Sequence, residues 1–439
     1  MFKLIFSDRL IRAGSSLFLS SMVSNLFNYL FQVTMGRLLG PSDYGLMNSL
    51  FSISVVMGVP LGTIIMVVSK ATAEYKAGGN FGNIRSLFAL TYKKVLIAGL
   101  IGLLLFGGAS GYVKNYIHSP SVIPVLILGI SIFTSLLYPI NTAVLQGLQN
   151  FTWMNLGIGL GGPLRFLFCV ILVVAGFSVS GVMVGLILSG LSIWAITYIP
   201  LRKVLRFEQR ESNFDPPAFI TVFPVLLVNL AFAVMTQADM VLVKHFFPAH
   251  EAGIYASAAI LGKAVMYLPG AIVLAMFPMV AESNALQLSS GPLIKKSLII
   301  SLSLSGSGAL LFFIFPNLII KTFFGARYTE AAEVLRYFGL AMLPMALLLV
   351  LMNYFVAKGR VMFSYVMSLG ALLEIGMILL FHGSLFSVIC SLLGVGGTIL
   401  SIGFAMLFFE SRSEYSKIQR EAVNPVRKGE ALTSPSIRS

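Results

Sequence analysis

The chain has 439 residues, of which 57% are hydrophobic and only 10% charged, with a mean hydropathy of +0.92. A soluble globular chain carries roughly 25% charged residues, so this composition excludes a cytosolic enzyme, a secreted disulfide scaffold and a disordered chain. The net charge of +14 comes from 30 Lys and Arg against 16 Asp and Glu. With about 20 residues per membrane-spanning helix, a polytopic chain of this length has only short connections left over, and function has to sit among its helices. The two cysteines, Cys169 and Cys390, lie inside apolar runs and build no disulfide framework.

Apolar stretches fall near 13–35, 46–69, 95–112, 122–145, 154–174, 181–201, 219–243, 252–281, 297–320, 332–357, 362–381 and 386–409. Lys3, Arg9 and Arg12 precede the first in the manner of a signal peptide, but the stretch is long and lacks a small-residue cleavage site, so it reads as a retained span. With the N-terminus placed on the cytoplasmic side, 22 Lys and Arg fall in connections and tail on that side and five on the other. This bias predicts a multi-pass cell-membrane protein with both termini cytoplasmic. It also accounts for most of the basic excess without a nucleic-acid partner. The polar connection Arg202–Pro217 divides the spans evenly. The expected organisation is an N-terminal six-helix bundle over 1–201, a cytoplasmic linker over 202–218, a C-terminal six-helix bundle over 219–409 and a disordered tail over 410–439.

Residues 36–74 and 244–282 align without a gap at an offset of 208, pairing Gly45 with Gly253, Ser49 with Ser257, Gly62 with Gly270 and Ala73-Glu74 with Ala281-Glu282. The offset spans an even number of helices, so the two copies share one orientation. The predicted fold is all-α, with two parallel bundles related by an axis along the membrane normal around a central cavity.

Ionisable residues inside a membrane are costly and usually face a bundle interior or a watery cavity. Three lie well inside predicted spans: Arg165, Lys263 and Glu374. Arg165 follows Gly161-Gly162-Pro163, a poor helix interior and a good place to break one helix and start another. A half-helix there would aim free N–H groups at an anion; the other reading is a kink with Arg165 snorkelling to the interface. Lys263 shares a face with Ala256, Ala259, Tyr267 and Gly270, which suits a cavity cation or one member of an inter-helix ion pair. Glu374 shares a face with Ser364, Ser368 and Ala371. Asp239 lies nearer the outer end of the seventh span, beside Gln237 and before Lys244. Either carboxyl is suited to take up a proton or sodium ion, or else to serve structurally, Asp239 by pairing with Lys244. Asn25, Asn28 and Gln32 in the first span, and Asn229, Thr236 and Gln237 in the seventh, would line a polar cleft or bond helix to helix. The four histidines, His118, His245, His250 and His382, are scattered near connections. Neither catalytic nor metal-binding residues are expected.

The run Met35-Gly-Arg-Leu-Leu-Gly-Pro-Ser-Asp-Tyr-Gly45 and the stretch from Asp239 to Gly253-Ile-Tyr255 resemble the polysaccharide transporter family. These are the O-antigen and oligosaccharide flippases of the multidrug/oligosaccharidyl-lipid/polysaccharide (MOP) superfamily. The resemblance implies a twelve-helix transporter that moves a polyprenyl-diphosphate-linked oligosaccharide to the outer leaflet by alternating access, for cell-surface polysaccharide biosynthesis. It implies as partners the lipid-linked oligosaccharide, membrane lipids and a polysaccharide polymerase machinery, and as energy source a proton or sodium gradient without other cofactors. On this sequence Arg165 and Lys263 would neutralise the diphosphate with Gly162 and Pro163. Tyr267, Asn28, Gln32 and Gln237 would line the cleft, while Glu374 or Asp239 would couple an ion. Two rival readings are a multidrug/toxin-extrusion-type cation antiporter, which favours an acidic cavity, and an integral-membrane glycan polymerase or ligase.

Overall fold

The computed structural model describes residues 2–204, 223–286 and 288–432, nearly all of them helical. Helix α1 (Phe2–Ala77) is followed by α2 (Phe81–Tyr116), α3 (Ile123–Ser135), α4 (Leu137–Gly147), α5 (Phe151–Leu172), α6 (Ser178–Tyr198) and the short α7 (Leu201–Val204). The second half holds α8 (Phe223–Phe246), α9 (Ala249–Tyr267), α10 (Gly270–Ala285), α11 (Gly291–Ile314), α12 (Pro316–Phe323), α13 (Ala331–Ala357), α14 (Met362–Leu380) and α15 (Leu385–Leu432). Most of the predicted linker, 202–218, lies outside the described residues.

Among the described residues ten continuous helical stretches are long and apolar enough to cross a membrane, and two of them fold back on themselves. In a straight helix Phe31 and Phe51 would stand about 30 Å apart, yet their ring centroids are 5.8 Å apart. The reversal is at Gly40, whose φ of 73° is a conformation that only glycine adopts without strain. Likewise the Cys169 thiol reaches the Val182 carbonyl at 3.5 Å because the chain turns at Gly176, φ 93°. Each folded stretch therefore supplies two antiparallel legs. The large apolar side chains left exposed, such as Leu104, Leu105, Leu274 and Leu372, need a hydrocarbon surrounding, and this is a multi-pass membrane protein.

The legs alternate between two ends. The near end carries connections 78–80, 286–290 and 358–361, and the far end carries the turns at Gly40 and Gly176. At the far end the halves are locked. Gly45 and Gly253, partners in the repeat, meet each other: a Cβ on Gly45 would lie 2.8 Å from the Gly253 nitrogen, and one on Gly253 would overlap the Pro41 carbonyl. Ser49 and Ser257 are both fully buried one turn further in, each donating to its own helix, to Leu46 and Ile254. Arg37 latches the seam by donating to the main-chain carbonyls of Phe323 at 2.8 Å and Thr322 at 2.5 Å. Tyr328 donates to the Gly36 carbonyl at 2.7 Å, and the Tyr116 and His245 rings stack at 4.0 Å.

The near end differs. One apolar core there, including Val68, Ile84, Leu87, Val144 and Leu145, belongs to the first half alone, whereas the larger core, which takes in the far end, draws on both halves. A Cβ added at Gly58, Gly62 or Gly270 would meet nothing within 4 Å. So the repeat pair Gly45/Gly253 is in contact while the pair Gly62/Gly270 faces open space, and the two halves form a V that opens toward the near end.

Helix α15 runs on past Glu410 to Leu432. Glu, Lys, Arg and Ala are frequent there and are good helix formers.

Candidate functional site

The V encloses a cavity of about 870 Å³. Its wall comes chiefly from both legs of α1, from α5, α8 and α9, and from the start of α10. On the first leg Asn25, Asn28 and Gln32 recur every three or four residues, which places them on one helix face; that face looks into the cavity. The second leg adds Asn48, Ser52 and Ser54, α8 adds Gln237, and Tyr29, Phe51 and Tyr267 supply aromatic surface. The charged wall residues are Arg165 and Lys263, with no Asp or Glu in the wall among the described residues.

Arg165 is held by Asn28, whose carbonyl oxygen accepts from Nη1 at 3.2 Å. It has no ion pair among the described residues, and its Nε is buried without a hydrogen-bond partner. A guanidinium carries five donors in a fork matched to carboxylate and phosphate oxygens. Arg165 therefore retains capacity for an oxyanion in the cavity. The expected helix break before it is absent: α5 runs through Gly161, Gly162 and Pro163 without interruption. Gly162 instead packs against the main chain of Ser24, where a Cβ would overlap the carbonyl oxygen. Close approach of α1 and α5 outweighs the weak helix propensity of this segment, so neither Gly162 nor Pro163 offers N–H groups to a ligand. They are withdrawn as binding residues.

Lys263 lines the cavity and is also paired, donating to Asp239 Oδ1 at 3.0 Å. The other Asp239 oxygen accepts from the Tyr255 hydroxyl at 2.9 Å. Asp239 is 1% exposed, and its partners are Lys263 and Tyr255 on α9 rather than Lys244. Glu374, fully buried on α14, lies within electrostatic reach of Asp239 and Lys263. Neither carboxyl oxygen has a hydrogen-bond partner among the described residues, and Glu374 is not in the cavity wall. The sequence-predicted residues Arg165, Lys263, Tyr267, Asn28, Gln32 and Gln237 thus come together around one space, with Asp239 and Glu374 behind Lys263.

A buried pair of this kind carries a clear expectation. Breaking it by removing one partner costs about 3–5 kcal/mol, whereas replacing both with apolar residues is often neutral. Asp239→Ala should therefore lower the thermal unfolding midpoint in detergent markedly, and Asp239→Leu combined with Lys263→Met should recover most of the loss. Equal midpoints for Asp239→Ala and the parent would show that the pair carries no such strain.

Sequence reasoning missed Asn48 and Ser52, which stand about one turn apart on the second leg of α1; the spacing rule that found Asn25, Asn28 and Gln32 reaches them too. It also missed Tyr255, which has no helix-face relation to Asp239 in sequence, and Arg336, whose guanidinium lies 5.7 Å from the Phe313 ring centroid, away from the cavity wall. Among the described residues no group of His, Cys, Asp and Glu is placed to hold a metal ion.

The family model described as "Polysaccharide biosynthesis protein" matches residues 34–333. No curated protein matches the chain at a significant level. Among solved structures, one described as an inward-facing multidrug resistance MATE family transporter of the MOP superfamily superposes with a TM-score of 0.74 at 13% identity, covering 90% of this chain and 99% of that one. The lipid II flippase MurJ in an inward closed conformation gives a TM-score of 0.67 at 11% identity, covering 95% and 93%. A MOP superfamily transporter from Pyrococcus furiosus, described as having a binding pocket of reversed polarity, gives 0.63 at 15% identity, covering 93% and 96%. At these identities the likeness establishes the fold, which is that of MOP superfamily transporters.

Proposed function

The chain belongs to the polysaccharide biosynthesis protein family, matched over residues 34–333, and from this premise we propose that it is a flippase for a polyprenyl-diphosphate-linked oligosaccharide. The observation that carries this reading is the wall chemistry: two cations, several amides and hydroxyls, and no carboxylate among the described residues. Arg165 and Lys263 match a diphosphate, while Asn25, Asn28, Gln32, Asn48 and Gln237 present donors and acceptors to sugar hydroxyls. Tyr29 and Tyr267 offer flat faces to sugar rings. The basic bias of the near-end connections supports a cytoplasmic near end, and in this reading the open V loads from inside. Parting the seam and closing Gly62 against Gly270 would present the cavity outside, and the glycan would never cross hydrocarbon.

Lys263 is shared in this reading. It leaves Asp239 for the incoming diphosphate, and the freed Asp239 carboxyl, with Glu374 beside it, takes up a proton or sodium ion that compensates the lost charge. Translocation then couples to an ion gradient. Multidrug resistance transporters share the fold, but organic cations would be repelled by a wall whose only charges among the described residues are positive.

The test is leaflet translocation of a fluorescent polyprenyl-diphosphate oligosaccharide in proteoliposomes. Protein-dependent transfer is expected, accelerated by an imposed proton or sodium gradient. Glu374→Gln should retain basal transfer and lose at least tenfold of the gradient acceleration. Export of a cationic dye without glycan-lipid transfer would replace this reading with the antiporter one.

A further inference from the structure

The central cavity shares part of its wall with an apolar groove on the flank of the molecule. Ser52 donates to the Gln237 side-chain oxygen at 2.9 Å, and this hydrogen bond joins the second leg of α1 to α8 across the two halves. The same two residues line both the central cavity and a second pocket of about 360 Å³ on the flank of the molecule. That pocket is otherwise walled largely by hydrocarbon, including Val56, Val234, Val241 and Ile375. It meets a third pocket of about 220 Å³ at Met57, which lines both. The third is apolar throughout and runs along Pro60, Leu61 and Ile64 against α2 and α3. From Ser52 to Ile64 the groove follows α1 for about 18 Å at ~1.5 Å per residue. One leaflet of a ~30 Å hydrocarbon core has about that depth.

Glycine shapes its floor. Gly99, Gly102 and Gly129 line the third pocket, and a Cβ on Gly102 would meet nothing within 4 Å. A polar chamber joined to a leaflet-long apolar groove through one hydrogen-bonded pair is the shape of a single-chain amphiphile whose head and tail need different solvents. Resting on the flippase reading above, we propose that the groove from Ser52 to Ile64 holds the proximal part of the substrate's polyisoprenoid tail. The Ser52–Gln237 pair is the window through which that tail leaves the cavity. Head and tail are then recognised separately, the diphosphate by Arg165 and Lys263 and the prenyl chain by the groove.

The experiment uses a polyprenyl-diphosphate disaccharide carrying a diazirine in its third isoprene unit, photolysed with the full-length protein in proteoliposomes and mapped by peptide mass spectrometry. Labelling is expected within 57–64 and 99–106. It should fall at least fivefold in Gly102→Leu, a substitution directed into open space. Ser52→Leu, which crowds the window, should have the same effect. Even labelling around the lipid-facing helices, or unchanged labelling in Gly102→Leu, overturns the proposal. So does equal labelling of the groove by a phosphatidylglycerol with a diazirine in its acyl chain, which would make it an ordinary lipid site. Binding of a water-soluble, tail-truncated diphosphate disaccharide separates the two readings. Retained affinity in Gly102→Leu is expected; no affinity in the parent protein would defeat the flippase reading itself, whereas normal affinity without groove labelling would defeat only this one.

Discussion

Arg165→Ala should abolish measurable glycan-lipid transfer while leaving membrane abundance and the unfolding midpoint close to those of the parent. Arg165 has no carboxylate partner among the described residues, and its one described hydrogen bond is to the neutral amide of Asn28, so its removal strands no buried counter-charge. What is lost is a fork of donors for the substrate. Truncating one side of a buried, hydrogen-bonded charge pair costs about 2–5 kcal/mol. At 1.4 kcal/mol per tenfold, substrate affinity should fall by roughly 30-fold to several thousand-fold. Arg165→Lys keeps the charge without the fork and should retain an intermediate affinity. Isothermal titration with the tail-truncated diphosphate disaccharide measures both. Parent-like affinity in a well-expressed Arg165→Ala variant would remove Arg165 from the site.

Gly253→Ala should force the far-end seam apart. The added methyl has no room against Pro41, and the obstacle is the Pro41 main chain, which cannot turn away as a side chain can. Overpacking usually costs 1–3 kcal/mol and sometimes more, and a main-chain obstacle puts this site at or above about 3 kcal/mol. The protein has two ways to respond: unfold more readily, or part its halves. A Ser49→Cys reporter distinguishes them, since Ser49 is fully buried at the seam, in a background where the exposed Cys390 is replaced by Ser. Maleimide labelling of the reporter should rise in Gly253→Ala, or the unfolding midpoint should fall. Gly62→Ala and Gly270→Ala, with open space around them, should do neither. A Gly253→Ala protein with parent stability and an unlabelled reporter would mean that the glycine contact does not hold the seam.

Much of this arrangement is legible in the sequence. Membrane-span patterning gave the helical class, and the offset repeat marked Gly45 and Gly253, although nothing in the sequence indicated that they would touch each other. Polar residues at helical spacing located the cavity face of the first leg because an amide in an apolar helix has few other places to go. The failures have physical causes. Gly161-Gly162-Pro163 reads as a break when local propensity is considered alone, but a neighbouring helix packed on the glycines keeps α5 continuous. Asp239 looked interfacial by its place along α8; its burial is decided by α9, whose Tyr255 and Lys263 approach it from another segment. Side chains that meet through tertiary contact leave no local periodicity to find.

The Arg37 latch has a consequence for how the protein tolerates change. Both of its acceptors are peptide carbonyls, at Thr322 and Phe323, and every residue type supplies a peptide carbonyl. The identities of residues 322 and 323 can therefore drift with little effect on these hydrogen bonds, whereas position 37 cannot. A substitution there silences two hydrogen bonds at once, and no change at the acceptor positions can restore them.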